Sequence, residues 1–225
     1  MSWRQHRPTR RAARSPWMNR RGMSDQEARQ AESNREAQQS GVDAERQVEL
    51  VGAAYEREGA AHIRKRAEPY RRVGAPRKGG MFSAVPTGAG GPDFEVWCAD
   101  GRAGLMELKS RKAGRVQLAA VGDAQAQALA RCVAWGHLAL VLVRLEGVWW
   151  LVDYTAWTHV SKRSLNATDL ERQGAQVYMR EDGLPDILEA IPRAQERARV
   201  FCVSLDALRP PLAHEDEGED EGADP

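Results

Sequence analysis

Between residues 41 and 59 the apolar positions fall at helical spacing. In GVDAERQVELVGAAYEREG, Val48, Val51 and Tyr55 recur three and four residues apart, which predicts an amphipathic helix with one buried stripe. Asp43 suits its N-cap and Gly59 its stop. Glu45 stands three residues before Val48, on the stripe itself. A carboxylate there either meets a partner or serves only the positive end of the helix. The next segment, AHIRKRAEPYRRV (61–73), is short, basic and strand-like, and 74–92 is rich in Gly and Pro. Such a stretch predicts a long loop or a thin hairpin with little core of its own.

The pattern then changes period. Phe94–Trp97 and Leu105–Lys109 flank Asp100-Gly101, a hairpin signal. Residues 123–135 return to helical spacing through Ala126, Leu129 and Val133, with Asp123 as the expected cap. LALVLV (138–143) is a continuous apolar run, as in a strand buried on both faces, and Glu146-Gly147 turns it into Val148–Val152. A further helix is expected over Pro185–Arg199 and a short last strand over Val200–Leu205. The order α-β-loop-β-β-α-β-β predicts an α/β fold with a mixed central β-sheet flanked by helices.

Both ends lack this patterning. Residues 1–40 are polar and nearly free of aliphatics, which predicts a flexible basic arm with at most a helix near 24–39. Residues 209–225 form an acidic, disordered tail, leaving 41–208 as the folded domain. Charge follows the same division. The net charge is +1, but seven acids between Glu215 and Asp224 face no base, and without them the chain is at +8. Residues 1–78 carry 18 Lys and Arg against 10 Asp and Glu. A basic front with an acidic tail points to a polyanion as partner, although five Lys among 33 basic residues also fits a codon bias toward Arg. Arg64, Lys65, Arg66, Arg71, Arg72, Arg77 and Lys78 are the densest basic run and the candidate phosphate contacts. No apolar run is long enough for a membrane span. Cys98, Cys132 and Cys202 are far apart and fit reduced thiols of a cytoplasmic protein. The seven tryptophans, Trp149, Trp150 and Trp157 among them, read as core rather than as base-stacking residues.

One constellation carries chemistry. Pro92-Asp93 is followed, after thirteen residues, by Glu107-Leu108-Lys109. Side chains alternate along a strand, so Glu107 and Lys109 share a face, and Asp93 opens the neighbouring hairpin strand beside them. Two carboxylates from adjacent strands make an oxygen-rich pocket suited to Mg²⁺, with Mn²⁺ as a substitute. The lysine is placed to orient a water or to neutralise developing charge. A plain alternative stays open: an aspartate in a turn and a solvent-facing ion pair.

The run from Gly41 to Trp157 resembles the RecU-type Holliday-junction resolvases of the PD-(D/E)xK nuclease superfamily. The likeness lies in Gly41, Glu45, Tyr55, Gly59 and Pro69, in the Asp93/Glu107/Lys109 motif, and in the helix with Gln125, then Gly136 and the strand 138–143. It implies a restriction-endonuclease-like core, a homodimer, and Mg²⁺-dependent nicking of four-way junctions by a bacterial or phage enzyme acting at the nucleoid. It further implies that Asp93, Glu107 and Glu45 hold the metal, that Lys109 is catalytic, and that Gln125 supports the site or touches DNA. Residues 74–92 would be a stalk protruding into the junction centre. The stalk is shorter and more Gly-rich than the family's, and Gly90, Gly91 and Pro92 stand where the family has Ser or Thr. Two other functions fit the same residues: a nuclease of this superfamily acting on duplex or single-stranded DNA, and a non-catalytic DNA-binding protein.

Overall fold

The structure is a computed structural model that describes residues 25–67, 70–73, 83–86 and 90–207. The chain divides into two units, Met1–Gln39 and Ser40–Pro225. In the first, the described residues 25–39 are helical and mostly exposed. They are Glu, Gln, Ala and Arg for the greater part and hold no Gly or Pro, so helix propensity alone favours that state. Helix α1 therefore runs over Asp25–Glu58, and Asp43 lies inside it instead of capping it. Gly59, at φ 67°, stops it as expected.

The second unit is built on a six-stranded mixed sheet. Its strands are β1 (Ala61–Lys65), β4 (Phe94–Cys98), β5 (Ala103–Arg111), β7 (Leu138–Leu145), β8 (Val148–Asp153) and β10 (Ala175–Val177), adjacent in that order. β5 and β7 are parallel and every other pairing is antiparallel. The parallel pair is joined by α2 (Asp123–Ala134), the crossover that such a pair requires. Gly122, not Asp123, precedes the first turn of α2. Two small ladders stand outside the sheet. One joins β2 (Tyr70–Val73), in the stretch read as strand-like, to β3 (Ser83–Pro86), in the stretch read as a loop or thin hairpin, and the other joins β6 (Val116–Gln117) to β9 (Ser164–Leu165).

Each face of the sheet has its own core. On one, Val48, Val51 and Tyr55 of α1 and Ile187, Ala190 and Ile191 of α5 (Ile187–Ala207) meet Ile63, Phe94, Val96, Met106 and Leu140. On the other, Leu129 and Cys132 of α2 and Trp157 of α3 (Tyr154–Thr158) meet Val141, Val143, Trp150 and Val152. Leu170 of α4 (Ala167–Gln173) completes that second core. The apolar run 138–143 is buried on both sides, as its composition predicts.

One expectation fails here. No strand forms over Val200–Leu205, because α5 continues through it. Ala198 and Phe201, three apart, deliver apolar groups to the second core, and that packing outweighs the β-propensity of the sequence. The segment 160–185 also holds α4 and β10, which the periodicity did not show. α4 had a readable signal: Asn166 caps the Asp169 N–H at 2.8 Å, and Asp169 returns a bond to the Asn166 N–H at 3.1 Å. Among the described residues no helix is long and apolar enough to cross a membrane.

Candidate active site

The register of β4 on β5 builds the site. Phe94 faces Met106 and Glu95 faces Leu105, so one further step sets Asp93 opposite Glu107. The regular ladder stops there, and side chains take over from backbone. The Asp93 N–H donates to Glu107 Oε2 at 3.2 Å, and the Leu108 N–H donates to Asp93 Oδ2 at 2.9 Å. On the other flank the Arg66 N–H donates to the Asp93 carbonyl at 2.8 Å, which anchors this corner to the end of β1. Lys109 Nζ reaches Glu107 Oε1 at 2.5 Å. The three residues of the motif therefore form one connected group.

Its electrostatics are strained. Glu107 is 1% exposed, among the few buried polar side chains described. Burial, and next the negative charge of Asp93, push its carboxyl up to about 7, against the pull of Lys109. Asp93 is also raised, chiefly by burial and further by the charge of Glu45, while the Leu108 N–H and Lys109 oppose the shift. One lysine thus faces two close carboxylates, which leaves negative charge under-compensated. That is the donor set a hard divalent cation requires, oxygen ligands with surplus negative charge, and Asp93 and Glu107 fit it.

The other expected residues are placed differently. Glu45 comes to the same end of the sheet, but Lys65 Nζ holds its Oε2 at 2.5 Å. Among the described residues no three His, Cys, Asp or Glu side chains converge as a metal cage, so Glu45 stands beside the pair without completing a triad. Gln125 accepts the Gly122 N–H at 2.9 Å and thereby helps to cap α2. The basic run 64–66 is split by strand alternation. Lys65 turns to α1 and Glu45, whereas Arg64 and Arg66 are exposed on the opposite face. The side chains of Arg71 and Arg72, and the whole of Arg77 and Lys78, lie outside the described residues, as do most of 74–92 and the acidic tail.

Three features were not foreseen. Ser110, next to Lys109, shares a 2.9 Å hydrogen bond with the Ser40 hydroxyl and donates to the Ser40 carbonyl at 3.2 Å, tying the end of β5 to α1. A serine following the ExK pair was the only signal for it. At Gly91 a Cβ would stand 2.4 Å from Arg66 Nη1, the tip of a long side chain that can shift. The glycine leaves the guanidinium its present place near Asp93. Finally, Trp149, Trp150 and Trp157 are core as read, but Trp97 and Trp135 are exposed.

No protein-family model and no curated protein matches the sequence. Among solved structures, the chain is similar to Hjc, a Holliday junction resolvase of Archaeoglobus fulgidus, with 16% identity and a TM-score of 0.34 over 56% of this chain and 95% of that one. A likeness of that size carries no argument about activity, which rests instead on the geometry above.

Proposed function

We propose that this chain is a metal-dependent DNA endonuclease of the restriction-endonuclease-like type, and that its substrate is the four-way junction. The observation that carries the reading is the buried, hydrogen-bonded Asp93–Glu107 pair with Lys109 on Glu107. A strand-end carboxylate pair with surplus negative charge has no structural purpose in an ordinary hairpin, where an exposed pair would be cheaper. Asp93 and Glu107 would hold Mg²⁺ or Mn²⁺. A cation so held lowers the pKa of a bound water and stabilises charge on the scissile phosphate. Lys109, 19% exposed at its side chain, reaches from the buried carboxylate toward solvent. Released from Glu107, it is placed to orient the attacking water or to offset charge on the phosphate. Arg64 and Arg66 supply phosphate contacts that read no sequence. Junction preference would then come from shape and from a homodimer, since symmetric incision needs two sites on a two-fold axis.

The test is a gel assay with a four-way junction and a linear duplex of the same sequence, each with Mg²⁺ and with EDTA. Paired nicks in the junction should appear with Mg²⁺ alone and vanish in Asp93→Asn and Glu107→Gln, while binding persists. Cleavage in EDTA, or in Asp93→Asn, would overturn the metal assignment. Equal cleavage of duplex would replace the junction reading with that of a general nuclease. Binding without cleavage under any condition would leave a DNA-binding protein.

A further inference from the structure

The sheet has one half-face that no described helix covers. Across β1, β4 and β5 the register aligns His62 with Trp97 and Ala103, and Arg64 with Glu95 and Leu105. The next row holds Arg66, Asp93 and Glu107. These side chains share one face, since residues alternate along each strand. On the reverse face of the same two strands Ile63, Phe94 and Val96 are buried under α1. On this face α2 lies over β5 and β7, and Cys132 of α2 feels the charge of Arg66. Arg64 and Arg66 are exposed, and Trp97 is 44% exposed although a strand pairs on each side of it. His62 holds the indole from the neighbouring strand, with ring centroids 5.5 Å apart, and is itself held by Glu56 at 3.3 Å.

We propose that this open face seats an unpaired DNA strand, with a base stacked on Trp97 and its phosphates on Arg64 and Arg66. The inference rests on the nuclease reading for the place of the scissile phosphate. Trp97 is four residues from Asp93 along one strand, about 13 Å at the rise of a β-strand. A nucleic-acid strand crossing the face toward the carboxylate pair therefore meets the indole first, then the arginines. Beside the indole two arginines stand against one carboxylate, Glu95, which pairs with Arg66 Nε at 3.3 Å, and the other two carboxylates of the face, Asp93 and Glu107, are the pair assigned to the cation. A half-exposed pair of that kind is worth little and exchanges readily for a phosphate. Gly91 keeps room for Arg66 at this spot. A second protein copy fits less well. Among the described residues of β1 and β4 on this face, Trp97 is the single large apolar side chain, and a stable dimer core needs more. The strand must be unpaired, because a duplex hides its base faces in its own stack, whereas every loose base offers a π-face to an aromatic ring.

The experiment is fluorescence anisotropy in EDTA with the full chain. The probes are a labelled oligothymidine of roughly 20 nucleotides, long enough to span one such groove, and a blunt duplex of equal length. Trp97→Ala should weaken single-strand binding roughly 5- to 100-fold and leave duplex binding unchanged, while Trp97→Phe keeps single-strand affinity within about threefold. Arg64→Gln and Arg66→Gln, both at exposed side chains, should each lower the salt slope of single-strand binding by about one. Unchanged single-strand affinity in Trp97→Ala overturns the proposal, and so does an equal loss on duplex. A dimer that becomes monomeric in Trp97→Ala by light scattering also overturns it, since the face would then be an interface between copies. The two readings separate cleanly. Trp97-dependent strand binding without any Mg²⁺-dependent cleavage sinks the nuclease reading and keeps this one, and junction cleavage with Trp97-independent binding does the reverse.

Discussion

Glu107 and Asp169 are both buried carboxylates, and their environments push them in opposite directions. Lys162 and the Asn166 N–H hold Asp169 below the usual carboxylate range, whereas burial and Asp93 raise Glu107 to about 7. The sign for Glu107 follows by linkage. Its stabilising contribution is fully present below the unfolded value, where both states are protonated, and is lost as pH rises through about 7. Without divalent cation, the wild type should therefore lose thermal stability between about pH 5 and pH 8 relative to Glu107→Gln, which does not titrate there. Each kcal/mol of the difference is worth roughly 2–4 °C in Tm at this chain length. Parallel melting curves across that range would disprove the assignment of a strained carboxyl. Lys109 belongs to the same scale. Lys109→Ala should cut turnover by about 100-fold or more and change DNA binding by only a few fold, because a group acting on developing charge shows in rate. Single-turnover kinetics with a titrated junction would separate the two, and an unaltered rate would return Lys109 to a structural ion pair.

At the scale of elements, Asp169 shows how the second core is closed away from the site. Its oxygens accept from Lys162 Nζ at 2.5 Å, Arg115 Nη2 at 3.3 Å and the Asn166 N–H at 3.1 Å. Arg115 also donates to the Ser164 hydroxyl at 2.8 Å, beside the short β6–β9 ladder. One carboxylate thus joins the start of α4 to the β6 side. Asp169→Ala should lower stability by about 1–3 kcal/mol through the partners it strands, with kcat unchanged. Denaturant unfolding measures the first and the junction assay the second. Because the folded-state pKa is depressed, this contribution is present at neutral pH and is lost as pH falls below the ordinary carboxylate range. A fall in kcat at full stability would instead couple α4 to the site. The helices also show where local reading stops. Stripe residues of α1 and α2 were legible, yet the start of α1 moved to Asp25 and the end of α5 to Ala207. Apolar periodicity marks the face that packs, not where a polar helix begins or where a β-branched stretch stays helical for the sake of distant contacts.

For the whole molecule the balance of charge decides how DNA is met. Removing residues after Pro211 takes away all seven clustered acids and leaves every described element in place. On a connected segment those charges compete for the basic surface at high effective concentration, and salt screens them within roughly 10 Å at 0.1 M. The truncated protein should bind junctions more tightly at low salt, with the gain shrinking as salt rises. Two salt titrations, full length against truncated, measure it, and equal affinities at low salt would make the segment a mere solubiliser.

The sequence alone determined what period and spacing can carry. The hairpin set Asp93 within reach of Glu107, strand alternation put Glu107 and Lys109 on one face, and the apolar run 138–143 fixed the buried central strand. These are properties of neighbours along the chain. The tertiary structure decided the rest. It gave Glu45 to Lys65, brought Ser40 to Ser110 across seventy residues, and set Arg66 over Gly91. It buried Glu107 to the point where its carboxyl titrates near neutrality, and left Trp97 in the open while α2 packed over β5 and β7. Depth and cover depend on which distant segments pack over a strand, and that is absent from any local pattern.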